Sequence, residues 1–207
     1  MKRIKVGVAL SGGVDSTTTA LLLKDQYNVS GFFMQLAQPD LAKQKEQVKR
    51  IASQLDIPLQ IIDLSEAFEK RVLQYFTQSY FNGLTPNPCV VCNQQIKFGL
   101  FLDSILAAGM EKIATGHYAR LEFQNDEYHL YKGADERKDQ SYFLSRLNQQ
   151  QLSRIIFPLG NMRKEDIYVY AEKCGFHGFR GKESQDVCFL EKNTVSNFLK
   201  SRSAVTT

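Results

Sequence analysis

Residues 9–16 read ALSGGVDS and lie at the end of the apolar run IKVGVAL, residues 4–10. A strand that leads through paired glycines into a helix brings backbone N–H groups against an anion, assisted by the positive helix N-terminus. Ser11 and Ser16 add hydroxyl donors, and Asp15 can hold Mg²⁺ or orient a phosphate chain. The lysine of the common ATP-binding loop is absent, which disfavours transfer of the γ-phosphoryl group. On these residues alone, a tight turn without a ligand is the alternative.

The composition is that of an ordinary globular protein: 43% of the 207 residues are hydrophobic and 23% are charged. This length suits one domain, or one domain with a small appendage, that folds without disulfides or metals. No apolar stretch approaches the roughly 18 residues of a membrane span, and no signal-peptide cleavage site precedes the glycine loop. We therefore expect a cytoplasmic protein with no membrane partner. The net charge of +4 is compatible with a polyanionic partner but is weak evidence by itself.

Strand and helix patterns alternate through the first half of the chain. They predict strands at residues 4–10, 29–35, 59–64 and 112–119, and helices at 16–25, 39–56, 65–81 and 93–108. Such alternation predicts an α/β fold with a doubly wound, mostly parallel sheet that binds ligands at the carboxyl ends of its strands.

The pattern changes after residue 119. A hairpin that turns at residues 124–127 is predicted, and short helices follow near residues 139–146, 149–154 and 164–174. We therefore divide the chain into an α/β unit, residues 1–132, and a small, mainly helical C-terminal extension, residues 133–207.

Four cysteines are the most informative reactive side chains. Cys89 and Cys92 form the CVVC pair, while Cys174 and Cys188 stand apart. In a cytosolic chain, a close pair indicates redox, metal or sulfur chemistry more than a structural disulfide. Cys174 lies in a predicted helix outside every motif, and we expect it in the core.

The glycine loop resembles the PP-loop of the ATP pyrophosphatase superfamily, whose members cleave ATP between the α- and β-phosphates. The resemblance continues along nearly the whole chain: GFFMQ, GLTPNPCVVCNQQIKFG, IATGHYAR, KDQSYFL, FPLG and ESQDVCF have the order and spacing found in the bacterial tRNA-specific 2-thiouridylases (MnmA/TrmU). It implies an adenine nucleotide alpha hydrolase-like fold. Residues 1–132 would then be the PP-loop ATP-binding catalytic domain, and residues 133–207 a helical tRNA-binding extension that carries Cys188.

The implied reaction is ATP-dependent 2-thiolation of the wobble uridine, U34, of tRNA. Adenylation turns the C2 oxygen into a leaving group, and sulfur then replaces it. The resemblance implies ATP contacts from Ala9, Leu10, Ser11, Gly12, Gly13, Val14, Asp15, Ser16, Met34 and Gly116. It places Asn87, Pro88 and Cys89 at the target base, and His117, Lys138, Asp139 and Gln140 against tRNA.

The resemblance also assigns the persulfide to Cys188 and the partner nucleophile to Cys92, which together would form a disulfide after transfer. Cys89 stands where family members carry either Asp or Cys. Cys89, Cys92 and Cys188 could therefore hold a [4Fe–4S] cluster through three thiolates and leave one iron open for sulfide. This third thiolate favours the cluster over the relay, in which the Cys89 sulfur has no covalent role.

The implied cofactors are ATP and Mg²⁺, together with the [4Fe–4S] cluster if the three cysteines hold one. The implied partners are tRNAs of the Lys, Glu and Gln type and a sulfur donor such as a cysteine desulfurase or a relay protein. Full-length members of the family continue past the SQDVCF segment into two further small domains, so we expect weak, salt-dependent binding of tRNA by these residues alone. A PP-loop sulfurtransferase with a non-tRNA acceptor and a non-catalytic iron–sulfur or RNA-binding module are the alternatives.

Overall fold

The central sheet is parallel and has helices on both faces. In the computed structural model, which describes residues 2–181, 187–190 and 195–203, the strands are β1 (Lys5–Ala9), β2 (Asn28–Gln35), β3 (Leu59–Asp63), β4 (Lys112–Ala114), β5 (Ala119–Gln124), β6 (Glu127–Lys132) and β7 (Ile155–Ile156). The parallel sheet has the order β3–β2–β1–β4–β7, and β5 pairs with β6 as an antiparallel hairpin. The predicted α/β fold is confirmed.

Helices follow the strands in the alternating order that the sequence predicts. They are α1 (Val14–Leu23), α2 (Leu41–Leu55), α3 (Ser65–Phe68), α4 (Gln74–Phe81), α5 (Pro88–Cys92), α6 (Leu102–Ala107), α7 (Gln149–Leu152), α8 (Lys164–Lys173) and α9 (Val195–Ser203). π-Helical turns join α3 to α4 and α5 to α6, and a 3₁₀ turn occupies Ser141–Leu144. Such π-helical segments are frequent at functional sites.

Two apolar layers cover the sheet. Val6 and Val8 are fully buried on the face that packs against α1, α2 and α8. Phe32, Phe101 and Ile105 are fully buried on the opposite face, which packs against the helix that runs through α5 and α6. Strands that are buried on both faces are typical of parallel sheets.

The strand order reverses between β1 and β4. β2 and β3 lie on one side of β1, whereas β4 and β7 lie on the other. In doubly wound sheets, ligands bind at this reversal, outside the carboxyl ends of the strands. The glycine loop follows β1 and residues 115–118 follow β4, so both lie at the expected edge.

Strand β7 is the one element of the sheet that the sequence pattern did not predict. It has only two residues, too few for any periodicity, and it pairs with β4. Ile167 and Ala171 of α8 are buried in the same core as α1. Elements on both sides of residue 132 thus share one sheet and one core, and the division of the chain at that residue stays a prediction.

Across residues 2–181, 187–190 and 195–203, no helix is both long and apolar enough to cross a membrane.

Candidate functional site

The glycine loop is held in its turn by side-chain hydroxyls. Gly12 adopts a positive φ of 86°, a conformation that favours glycine. Ser16 Oγ accepts a hydrogen bond from the Ser11 N–H (3.1 Å) and donates one to the Gly13 carbonyl (3.0 Å). The first N–H groups of α1 have no carbonyl partner within the helix. The loop therefore offers donors to an anion at the carboxyl end of β1.

Asp15 is the charged residue of this loop, and it already has partners. Lys164 Nζ lies 2.8 Å from Asp15 Oδ1 and 2.7 Å from Oδ2. The Tyr118 hydroxyl donates to Asp15 Oδ1 over 2.6 Å. The Lys164 side chain is only 13% exposed, so this ion pair is screened less than a surface pair. A carboxylate, a phenol and an ammonium group thus meet at the start of α1.

Gly116 lies against the same turn. A Cβ atom at this position would come within 2.9 Å of both the Cβ and the backbone carbon of Asp15. Contacts this short do not fit, so the glycine allows the loop after β4 to approach α1. The structure brings Gly116 next to residues 9–16, and its predicted contact with ATP stays a prediction. Met34, at the end of β2, is half-buried between two apolar clusters, and its contact with adenosine stays a prediction.

His117 is buried between Phe98 and Phe157, and burial is the main cause that lowers its pKa well below 6.5. Its Nδ1 lies 2.7 Å from Thr115 Oγ1, and its Nε2 lies 3.5 Å from Lys97 Nζ. Because an ammonium group can only donate, Nε2 accepts and Nδ1 carries the proton of the neutral ring. His117 therefore orients Lys97, a role that the sequence did not suggest.

Cys188 is held in place by its neighbour Phe189. The Phe189 ring contacts Phe68, Phe76 and Phe198, with ring centroids 5.8, 5.2 and 5.3 Å away. Arg202 of α9 forms an ion pair with Glu69, between α3 and α4, and fixes α9 over the same cluster. These contacts, made across long sequence separations, set the position of Cys188.

The thiols of Cys89, Cys92 and Cys188 lie close enough to influence one another. Burial is the main cause that raises the pKa of Cys92 from 9.0 to about 12; Lys97 opposes the increase, and Cys188 and Cys89 contribute to it. Cys188 is exposed as a residue, yet partial burial of its sulfur, and then Cys89, raise its pKa. The structure therefore brings the three predicted cysteines near one another, with Lys97 close to Cys92 and Cys188.

The [4Fe–4S] cluster predicted for Cys89, Cys92 and Cys188 stays a prediction. Across residues 2–181, 187–190 and 195–203, no group of three or more His, Cys, Asp or Glu side chains is placed to hold a metal ion. The four cysteines all lie within the described residues and form no disulfide there. Cys174 is exposed after the last turn of α8, so the prediction that it lies in the core is wrong. The helical pattern does not specify the side chain of a residue at the helix end.

Residues predicted to contact the target base or tRNA make local hydrogen bonds. Asn87 caps α5, since its Oδ1 accepts from Val90 N–H (3.2 Å), and Pro88 is the first residue of that helix. Asp139 accepts from the N–H groups of Gly133 (2.9 Å) and Ser141 (3.3 Å). Gln140 accepts from the Tyr118 N–H (3.2 Å) and donates its own N–H to the Tyr118 carbonyl (3.0 Å). Contacts of these residues and of Lys138 with RNA stay predictions.

The family model described as the tRNA methyl transferase HUP domain matches residues 4–192. The chain belongs to this family. It is 59% identical over 194 residues to the tRNA-specific 2-thiouridylase MnmA of Desulfotalea psychrophila, an alignment that covers 94% of this chain and 56% of that protein. The protein of the same name from Syntrophomonas wolfei is 49% identical over 190 residues, which are 90% of this chain and 55% of that protein.

This HUP-domain chain thus spans little more than half the length of these curated relatives. Among solved structures, a predicted subunit of tRNA methyltransferase from Methanocaldococcus jannaschii superimposes with a TM-score of 0.54 at 19% identity, over 82% of this chain and 74% of that one. NMN synthetase from Francisella tularensis gives a TM-score of 0.51 at 13% identity, over 85% and 63% of the two chains. At these identities the likeness shows the fold alone.

Three site residues of this HUP domain escaped the sequence analysis. Lys97 lies in the quoted CNQQIKFG motif, five residues after Cys92, and that spacing was an available signal. Tyr118 also lies in a quoted motif, IATGHYAR, but nothing local shows that its hydroxyl reaches Asp15. Lys164 is 149 residues from Asp15 in the sequence, so only the folded chain shows their pairing.

Proposed function

We propose that this chain is the catalytic part of an ATP-dependent tRNA 2-thiouridylase that works in the cytoplasm. One observation supports the proposal most strongly: residues 115–118 connect the glycine loop with the thiols. Tyr118 donates a hydrogen bond to Asp15 of the loop, and His117 contacts Lys97, whose charge favours lower pKa values of Cys92 and Cys188. A phosphate site and a sulfur site on one short segment suit a reaction that activates an oxygen and then replaces it by sulfur.

In the first step, ATP binds with its phosphates on the loop N–H groups and its adenosine toward Met34 and Gly116. The C2 oxygen of U34 attacks the α-phosphorus, pyrophosphate leaves, and the oxygen becomes part of an AMP leaving group. Carboxylate oxygens are preferred Mg²⁺ ligands, so Asp15 is the residue that would hold this ion beside the phosphates. Mg²⁺ would neutralise the charge of the leaving pyrophosphate.

In the second step, sulfur arrives as a persulfide on Cys188. The exposure of this residue supports it as the acceptor of sulfur from a protein donor such as a cysteine desulfurase or a relay protein. The terminal sulfur attacks C2 and expels AMP. Cys92 then attacks the Cys188 sulfur, which releases the 2-thiouridine and leaves a Cys92–Cys188 disulfide for an external thiol to reduce. No step in this scheme needs a cluster.

The positively charged Lys97 is placed to assist both thiols. Each transfer requires a thiolate, and a nearby cation lowers the free energy of that form. His117, which is neutral and hydrogen-bonded to Thr115, keeps the ammonium group oriented without adding a second positive charge. Recognition of tRNAs of the Lys, Glu and Gln type, with contacts from residues 87–89 and 138–140, completes the proposal.

Incubation of the chain with ATP, Mg²⁺, tRNA and a persulfide donor tests the proposal. We expect pyrophosphate release that depends on tRNA, and 2-thiouridine in the digested tRNA. Cys174→Ser, at an exposed thiol far from the motifs, is the matched control and should match the wild type. Pyrophosphate release that needs a different acceptor would favour a non-tRNA sulfurtransferase, and the absence of release would favour a binding module.

A further inference from the structure

A lysine from the second half of the chain occupies the place next to the glycine loop. Lys164 is the first residue of α8, and its Nζ contacts both carboxylate oxygens of Asp15, the second residue of α1. The loop itself lacks the lysine with which common ATP-binding loops reach the β- and γ-phosphates. The ammonium group that the loop lacks is thus supplied from a distant segment.

The side chain of Lys164 lies next to two aromatic rings. Its Nζ lies 5.7 Å from the ring centroid of Tyr118 and 5.2 Å from that of Tyr168, within the range of cation–π attraction. Its backbone N–H donates to Asp135 Oδ2 over 2.9 Å. A group held in this way loses little side-chain entropy when it binds a ligand.

Electrostatic attraction favours the exchange of Asp15 for the phosphate chain of ATP as the partner of Lys164. A carboxylate carries one negative charge, whereas the phosphate chain of ATP carries several and presents more acceptor oxygens. The first-turn N–H groups of α1 attract anions to the place where this lysine lies. Asp15 would also be the residue that holds Mg²⁺, and a carboxylate engaged in this way would leave the lysine available to the phosphates.

We propose that Lys164 is the phosphate-binding cation of this site, which leaves Asp15 to contact the β- and γ-phosphates of ATP and then stabilises the departing pyrophosphate. This inference rests on the proposed function. It assigns Asp15 a second task, which is to keep the lysine in position and its charge neutralised before ATP binds. The glycine loop then needs no lysine of its own.

Equilibrium binding of ATP and of AMP, measured by calorimetry with Mg²⁺, tests the inference. We expect Lys164→Met to weaken ATP binding by about 10- to 100-fold, the usual effect of losing a charged hydrogen bond. AMP binding should stay unchanged, because AMP lacks the β- and γ-phosphates. Lys173→Met, at the exposed other end of α8, is the matched control and should bind ATP like the wild type.

A second pair of variants separates ligand binding from a purely structural role. If Lys164 only neutralises Asp15, then adding Lys164→Met to Asp15→Asn costs nothing further. If Lys164 binds phosphate, the double variant binds ATP about 10- to 100-fold more weakly than Asp15→Asn alone. Equal affinities of these two variants overturn the inference and leave the proposed function standing. No ATP binding by the wild type overturns both.

Discussion

The glycine loop, residues 9–16, and the cysteine pocket, formed by Cys89, Cys92, Cys188 and Lys97, are linked by residues 115–118. They differ in whether their functional groups already have the contacts and protonation states that the proposed reaction needs. At the loop, Asp15, Lys164 and Tyr118 already form short polar contacts. At the pocket, burial keeps Cys92 and Cys188 protonated, and Lys97 offsets only part of that effect. The proposed phosphate site thus has its polar groups already in contact, whereas burial disfavours the reactive thiolate form at the proposed sulfur site. A thiol with a raised pKa, such as that of Cys92, is less susceptible to oxidation because less of it is thiolate.

The largest effect that would break this comparison is expected from the thiols. Cys92→Ser and Cys188→Ser should each abolish 2-thiouridine formation, because a hydroxyl cannot carry or resolve a persulfide. Both variants should still release pyrophosphate with tRNA. Cys89→Ser should remain active, since the relay gives this sulfur no covalent role. An inactive Cys89→Ser enzyme, or brown protein with about four irons after anaerobic purification, would contradict the relay and restore the cluster.

The second largest effect concerns the protonation of Cys92, which determines how fast its thiol is alkylated. With a pKa of about 12 instead of 9.0, the folded thiol should react with iodoacetamide at pH 8 about 1,000-fold more slowly than in urea. The neutral thiol stabilises the fold fully below about pH 9.0, and this contribution disappears as the pH rises toward 12. Mass spectrometry of the alkylated peptide measures the rate. Equal rates in the folded and unfolded states would contradict a buried thiol.

The third effect concerns the phosphate side alone. Asp15→Ala should lower AMP and pyrophosphate formation about 100-fold, because Lys164 and Mg²⁺ lose their common partner. The fold should persist, and alkylation of Cys92 should stay as slow as in the wild type. Near-normal formation of AMP by this variant would show that the carboxylate has no part in activation.

The smallest effect is expected from the aromatic support of Cys188. Phe189→Leu keeps an apolar side chain but loses the ring contacts that position Cys188. We expect this to cost about 1 kcal/mol of the free energy that holds Cys188 in place, and thiolation should become about fivefold slower. Pyrophosphate release should not change. Phe123→Leu, at an exposed ring on β5, is the matched control for a general loss of aromatic surface. A fivefold loss of pyrophosphate release in Phe189→Leu would mean that the two regions are not independent.

The sequence predicted the parts of the molecule that local patterns specify. The run from β1 through the glycine loop into α1, and the alternation that gives the parallel sheet, follow from apolar periodicity and turn residues. Contacts between distant segments were out of reach. The Asp15–Lys164 pair joins residues 149 positions apart, and β7 is too short for a pattern. The cysteine motifs indicated sulfur chemistry, but the raised pKa of Cys92 comes from burial that appears only in the folded chain.

The central claim is that one chain activates an oxygen at the loop and delivers sulfur at the pocket, as two separable steps. The most direct test is to incubate Cys92→Ser with ATP, Mg²⁺, tRNA and a persulfide donor, and to measure pyrophosphate and 2-thiouridine in the same sample. We predict tRNA-dependent pyrophosphate release at a rate near that of the wild type, with no 2-thiouridine. Loss of pyrophosphate release together with thiolation, or normal thiolation without Cys92, would contradict the account.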